Sequence, residues 1–392
     1  MRIAVFASAF YPHIGGVEEL VRELALAYRA KGHDPIIVTN RWPRDLPDRE
    51  VIDGIEVHRP ALRWPVGSIK AKATYAVSHG AVLRQVVRIL EEHRTEVVHV
   101  QCVSSNGLYA REAADRLGLP LVVTTQGELT MDAGQIFERH EYVRDQYLRL
   151  AEAADAFTAC SAKTLRDAEA YVGHPLPEAK VIHNGANTEV FGRADPWPSD
   201  RPYAFAIGRL VPQKGFDLLL RAYREADPAA DLLLAGEGPD REALGQLADE
   251  LGIADRVTFF GPADRDQVPR LHRGASFVVL PSRTDEGLPL VSIEAMAAGR
   301  ALIATETGGI REAVTDGDDA VLVPKGDVEA LTAALKAVDA DPALRERLGA
   351  AALARAATFS WSSLADRYLA VFAGVAGGPS SPDDVSGPGR AR

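Results

Sequence analysis

Two glutamates separated by seven residues, Glu286 and Glu294, lie in the stretch 281–299, directly after an apolar run at 276–280. Glu286 falls in a loop rich in glycine and proline. Glu294 falls in a segment whose other positions are apolar (Leu290, Val291, Ile293, Met296, Ala297), with Pro289 marking its first turn. A carboxylate in such a run is costly unless it is partnered. Ribose or sugar hydroxyls are suitable donors; a turn capping a structural carboxylate is the other reading. Upstream, Arg209 and Lys214 flank the loop that follows the run 203–208. An arginine at a strand end and a lysine at a helix entrance could clamp a diphosphate, the first through its fork and the second as a point charge. A solvated pair on a loop is the alternative. Near the N-terminus, Gly15 and Gly16 precede a helical pattern. Paired glycines there allow close backbone approach of an anion to open amides, or only a tight strand–helix turn.

The elements that must position these loops alternate almost from end to end. Residues 2–7, 35–39, 96–101, 121–125 and 156–160 read as strands, with a hairpin at 51–59 turning at Asp53–Gly54. Val17, Leu20, Val21, Leu24 and Tyr28 recur at helical spacing up to Gly32. Three prolines in 192–202 interrupt the pattern, and strands resume at 203–208, 231–235, 256–260, 276–280, 301–304 and 320–323. The alternation predicts an α/β fold of two doubly wound Rossmann-like domains, at 1–190 and 203–360, joined by a linker at 191–202. Ligands in such sheets bind beyond the carboxyl ends of the strands, where these loops lie. Residues 377–392, rich in Gly, Pro, Ser and Asp, are expected to be disordered.

Composition narrows the function. The 392 residues are 46% hydrophobic and 25% charged, enough for two ordinary cores. A net charge of −11 argues against a nucleic-acid binder. Cys102 and Cys160 are the only cysteines, which excludes a disulfide scaffold and a cysteine zinc site and fits a reducing cytosol. Residues 1–9 read as a buried strand rather than a signal peptide, and no apolar run is long enough to span a membrane. The expected location is cytoplasmic. Within 58–94, Arg59, Arg63, Lys70, Lys72, Arg84, Arg88 and Arg94 face only Glu91 and Glu92. That stretch is either a surface for an anionic acceptor or peripheral membrane contact, or a solvated helix face.

The ordered motifs of 281–299, Pro-Ser…Glu-Gly-Leu-Pro-Leu…Glu-Ala-Met-Ala-Ala-Gly, resemble the signature of the family-4 retaining glycosyltransferases, whose architecture is GT-B. The likeness extends over nearly the whole chain. It takes in Gly15–Glu18, Asn184-Gly185, Gly208-Arg209 with Lys214-Gly215, Ala235–Pro239, Gly308–Glu312 and Phe359-Ser360-Trp361. The resemblance implies two domains facing a central cleft, with a last helix at 361–375 crossing back to complete the first. It implies that Arg209 and Lys214 hold the donor diphosphate, that Glu286 meets the transferred sugar and that Glu294 meets the ribose. The amides of Gly287, Leu288, Leu290 and Val291 would contact phosphates and sugar, Pro289 having none to give. Gly15 and Gly16 would approach from the opposite domain, and the base would lie against the loop Phe260-Gly261-Pro262, with Gly261 a donor contact.

Three positions depart from the family pattern. Gln126 and Gln101 stand where relatives often carry histidine, and Asn187 where aspartate is common. Glutamine orients hydroxyls but does not titrate near neutrality, so a proton shuttle at 126 is excluded. His99, Gln126 and Glu128 remain candidates for the acceptor side, a packed structural histidine being the other reading of His99. The implied reaction is transfer of a sugar from a nucleotide diphosphate sugar, UDP-linked by expectation, to an acceptor hydroxyl on a sugar, a lipid-linked sugar or a small metabolite. Front-face attack would retain configuration, without metal or other cofactor, because two cations and a row of amides can balance the leaving charge. A retaining disaccharide phosphorylase or a nucleotide-sugar epimerase of similar architecture, or a non-catalytic sugar-binding module, are the alternatives.

Overall fold

The computed structural model describes residues 1–13, 15–131 and 135–377; apart from Gly377, the tail expected to be disordered lies outside them. Eight strands form the first sheet: β1 (Arg2–Ala7), β2 (Asp34–Thr39), β3 (Arg49–Ile52), β4 (Ile55–His58), β5 (Val97–Gln101), β6 (Leu121–Thr125), β7 (Ala156–Ala159) and β8 (Lys180–Val181). Their order is β3-β4-β2-β1-β5-β6-β7-β8, parallel except for the β3–β4 hairpin. That hairpin turns at Asp53 and Gly54, both at positive φ (50° and 79°), the backbone of the two-residue turn that an Asp-Gly pair favours. The central strand β5 reads Val-Val-His-Val-Gln and is buried along its whole length, as a parallel strand covered on both faces must be.

The second sheet holds β9 (Tyr203–Ile207), β10 (Asp231–Ala235), β11 (Val257–Gly261), β12 (Phe277–Leu280), β13 (Leu302–Thr305) and β14 (Val321–Val323). Its order is β11-β10-β9-β12-β13-β14, and every pairing is parallel. Each half has its own apolar layers on the two faces of its sheet.

The chain crosses between halves earlier than the proline cluster suggested. Ala186 N–H bonds the carbonyl of Phe359 at 3.0 Å, and the short helix Thr188–Arg193 already buries Phe191 in the second core. Residues 191–202 are therefore not a free linker. Trp197 packs edge-on to Phe260, ring centres 5.2 Å apart, and its amide bonds the carbonyl of Arg270. Two aromatic anchors inside the proline-rich segment lay it along the second domain.

The last helix, Trp361–Ala376, returns to the first half. Phe372 meets Tyr28 edge-on, and Asp366 pairs with Lys31 at 2.8 Å. Closer to the cleft the halves are fitted by backbone. Gly287 abuts the carbonyl of Gln126 so closely that a Cβ would sit 2.3 Å from its oxygen. Glu312 of the second half caps the helix Ala162–Val172 of the first, accepting from the amides of Ala162 (2.8 Å) and Lys163 (3.3 Å).

Candidate functional site

The loops beyond the carboxyl ends of both sheets line one cleft of about 2220 Å³. Its second wall is built largely on the loop after β12. Glu286 is almost fully buried there, with one carboxylate oxygen taking Lys214 Nζ at 2.7 Å and the other the hydroxyl of Ser282. The loop can hold this shape because Gly308, at φ +52°, passes directly over the carbonyl of Glu286, where a Cβ would lie only 1.5 Å away. Lys214 ends a single 3₁₀ turn, Pro212–Lys214, and the left-handed Gly215 then fits against the carbonyl of Pro281. Arg209 is exposed at the cleft, its guanidinium without a hydrogen-bond or ion-pair partner among the described residues. Lysine, arginine and the glycine-rich loop thus converge, as their spacing suggested.

The helix Leu290–Ala297 begins at the cleft, so the amides of Leu290 and Val291 point there without partners in their own helix. Leu288 is nearly buried and its carbonyl accepts from Asn184 Nδ2 at 2.9 Å. Across the gap, Gly16 opens the helix Gly16–Ala30 opposite Leu290, with 3.6 Å from its Cβ position to Leu290 Cδ1. Glu18 folds back over Gly15 and pairs with His13 at 2.7 Å. Glu294 lines the cleft with 17% of its side chain open. Burial, and then the negative charge of Glu19, push its carboxyl up to about 8. His272 Nε2 lies 3.9 Å from its Oε2. Nothing in the sequence singled His272 out.

Gly261 does not line the cleft. It sits at φ +83° with its carbonyl bonded to the amide of Gly236, and Pro262 and Ala263 form the lining instead. The strand end turns away one residue sooner than the motif alone suggested.

The first wall corrects another expectation. His99 does not reach the cleft: it is wholly buried in β5, its ring 5.0 Å from those of Tyr368 and Phe372. Burial lowers it to about 3, so it stays neutral, and its Nε2 contacts Thr124 Oγ1 at 2.8 Å. Gln126 does line the cleft and is tied to that interior. Its Nε2 donates to Gln101 Oε1 at 2.9 Å, and Gln101 Nε2 meets His99 Nε2 at 3.2 Å. Glu128 also lines the cleft, but its carboxylate accepts from the amides of Val103 (2.9 Å) and Gln126 (2.6 Å), bracing the loop. Burial raises its pKa. Toward the loops after β2 and β4 the lining is basic, with Arg41, Arg44, Arg63 and Lys70, whereas the helix Gly16–Ala30 brings Glu18, Glu19 and Glu23. Arg63 and Lys70 belong to the basic stretch legible in the sequence; Arg41 and Arg44 lay outside it.

Two doubly wound sheets opening on a common cleft, with a helix that crosses back, define the GT-B class of molecules. Residues 188–355 match the model of glycosyl transferases group 1, and residues 14–190 that of glycosyltransferase family 4. The chain belongs to this glycosyltransferase family. A D-inositol 3-phosphate glycosyltransferase from Kribbella flavida is 30% identical over 91% of this chain and 90% of its own. A GDP-mannose-dependent alpha-(1-6)-phosphatidylinositol monomannoside mannosyltransferase from Mycolicibacterium smegmatis is 27% identical over 87% and 90%. Among solved structures, Anabaena HepE in complex with UDP and glucose superposes with a TM-score of 0.77 at 20% identity, covering 95% of this chain and 100% of that one. The protein is a glycosyltransferase. Among the described residues, no helix is long and apolar enough to cross a membrane.

Proposed function

We propose that the protein moves a hexosyl group from a UDP-sugar to a hydroxyl of a phosphate-bearing acceptor, with retention of configuration. The observation that carries the donor half is the 2.7 Å contact of Lys214 with buried Glu286, beside an unpaired Arg209. Lys214 and Arg209 balance the departing diphosphate, and Glu286, held by Lys214 and Ser282, presents a fixed acceptor to sugar hydroxyls. Leu290 and Val291 add amides. Glu294 receives ribose hydroxyls, a role with no use in a phosphorylase, where free phosphate replaces the nucleotide. The acceptor oxygen attacks the anomeric carbon from the face that the diphosphate leaves. The carbon–oxygen bond to phosphate breaks, and the acceptor proton passes to the leaving phosphate oxygen. Positioning does most of the work.

The acceptor half rests on Arg44, Arg63 and Lys70, which have no ion-pair partners among the described residues, in the wall opposite the donor loop. Relatives named for inositol 3-phosphate and for a phosphatidylinositol mannoside act on phosphate-bearing compounds by name. Lys70 stands beside Ile69, which with Val77 (both 87% exposed) and Trp42 (65%) makes an apolar and basic rim. Such a rim suits peripheral contact with an anionic bilayer. Co-sedimentation with vesicles containing acidic lipid checks that contact.

The test is a panel of UDP- and GDP-sugars against inositol phosphates and their dephosphorylated forms, with product anomers read by NMR. Retained configuration, release of UDP and dependence on the acceptor phosphate are expected. An inverted product, a preference for GDP-sugars or indifference to the phosphate would each overturn the corresponding part.

A further inference from the structure

His272 is wholly buried in the helix Gln267–Gly274, edge-on to Phe205 (4.9 Å between ring centres) and Phe191 (5.5 Å). Its Nδ1 lies 3.0 Å from the carbonyl of Val268, which can only accept, so Nδ1 carries the ring proton. Nε2 is then a bare lone pair. It has no hydrogen-bond partner, and it faces Glu294 Oε2 at 3.9 Å. Leaving a buried acceptor unmet costs about 1–3 kcal/mol.

Glu294 mirrors this deficit. No described residue donates a hydrogen bond to its carboxyl, although one end opens on the cleft. Of the cations on His272's helix, Arg270 stacks on Trp197 and Arg273 bonds the carbonyl of Ala298. Glu19, from the first domain, is the charged group that acts on Glu294, and it is negative.

Resting on the reading of Glu294 as the ribose contact, we infer that His272 is a positioning residue for the donor. Its Nε2 accepts a hydrogen bond from the protonated carboxyl of Glu294 and so turns the other carboxyl oxygen toward the ribose hydroxyls. The inferred bond requires the carboxyl to close the present 3.9 Å to hydrogen-bond length. Burial pushes Glu294 up to about 8 and His272 down to about 4, so near neutrality the shared proton sits on the glutamate. A neutral carboxyl also spares the diphosphate a like charge in a cleft that already holds Glu19.

Four variants and two nucleotides test this. His272→Phe fills the same space without a lone pair; His272→Gln restores an acceptor oxygen. Glu294→Gln keeps a donor toward His272 and an acceptor toward the ribose, whereas Glu294→Leu keeps neither. His272→Phe should raise the donor KM about 10-fold, the size of one buried hydrogen bond, with a much smaller change in kcat. His272→Gln should recover most of that loss, and Glu294→Gln should lose clearly less than Glu294→Leu. Calorimetry with UDP and with its 2′,3′-dideoxyribose analogue completes the comparison: the His272→Phe penalty should be confined to UDP. Equal losses for His272→Phe and His272→Gln, or a penalty that persists with the dideoxy nucleotide, would make His272 a packing residue and overturn the inference while the ribose contact stands. Undiminished binding of UDP by Glu294→Leu would remove the ribose contact itself, and the inference with it.

Discussion

The two walls of the cleft are organised differently. On the second-domain wall the central polar side chains are committed to one another before any ligand arrives, Lys214 and Ser282 to Glu286, while Arg209 is left open and His272 faces Glu294 at 3.9 Å. On the first-domain wall Arg44, Arg63 and Lys70 have no ion-pair partners among the described residues, whereas Arg41 is held by Asp48 and Arg22 by Glu23 and Asp53. Fixed dipoles and charges are worth most where charge develops during reaction, because they cost no reorganisation at that moment. Uncommitted cations on long side chains suit an anion that must be recognised but does not react. Under the proposed function, the second-domain wall would serve the chemistry and the first-domain wall the capture of the acceptor.

The sharpest break is on the committed side. Glu286→Gln keeps the shape but removes the charge that Lys214 and Ser282 hold, and should cost about 2–4 kcal/mol in kcat while the fold survives. Turnover of the purified variant, beside its thermal melt, is the measurement; near wild-type turnover would dissolve the contrast between the walls.

Next come the cations of the same wall. Lys214→Ala and Arg209→Ala should each weaken UDP by about 1.5–3 kcal/mol, the range for hydrogen bonds to charged groups. Lys214 should lose more, since its removal also strips Glu286 of its partner. Calorimetry with UDP alone separates this from effects on the sugar. On the proposal that these cations and the amides after Pro289 balance the leaving charge, transfer should persist in excess chelator. Loss of transfer that magnesium or manganese restores would make a glutamate of this wall a metal ligand.

The acceptor wall should respond more softly and in a different constant. Arg63→Ala and Lys70→Ala are each expected to raise the acceptor KM by roughly 3–10-fold, one charged contact to a solvated phosphate being worth about 1 kcal/mol. The donor KM should hold. A rise in donor KM instead would place these residues on the wrong side of the cleft.

The same contrast explains what could be read from the sequence. Glu286, Gly287, Leu290, Val291 and Glu294 sit in one contiguous loop and helix, so local spacing sets their geometry and a motif can carry it. The alternation of strands and helices fixed both sheets for a similar reason: burial on two faces imposes apolar runs. The acceptor wall is assembled from loops after β2, β4, β5 and β6, and no spacing links Arg41 to Lys70 or to Gln126. His99 stood open between cleft and core because a strand end shows which residue is last, not which face it takes; β5 turns it onto Tyr368 and Phe372, more than 260 positions downstream. His272 was invisible, since a lone histidine in a helix shows nothing until Glu294 is folded beside it. Phe191 and Trp197, inside the proline cluster, hid the true crossing point.

The smallest effect is expected where the walls meet. Arg265, on the loop after β11, reaches Asp53 at the tip of the β3–β4 hairpin, Nη1 to Oδ2 at 2.7 Å, and Arg22 Nε approaches the same oxygen at 2.6 Å. Partial burial works against the charge on Asp53. The hydrogen bonds and charges of Arg265 and Arg22 outweigh it and hold the carboxyl below the usual range. A group depressed in this way contributes closure at neutral pH and loses it as the pH falls through its lowered value. The pair is open to solvent, with Arg265 44% and Asp53 28% exposed, so screening limits its worth to about 0.2–1 kcal/mol. Asp53→Asn should therefore raise the donor KM no more than about 5-fold at low ionic strength, and the difference should fade as salt shortens the screening length. A salt-independent loss of an order of magnitude would show that the two walls are held in register by this contact, and that capture and chemistry are coupled through it.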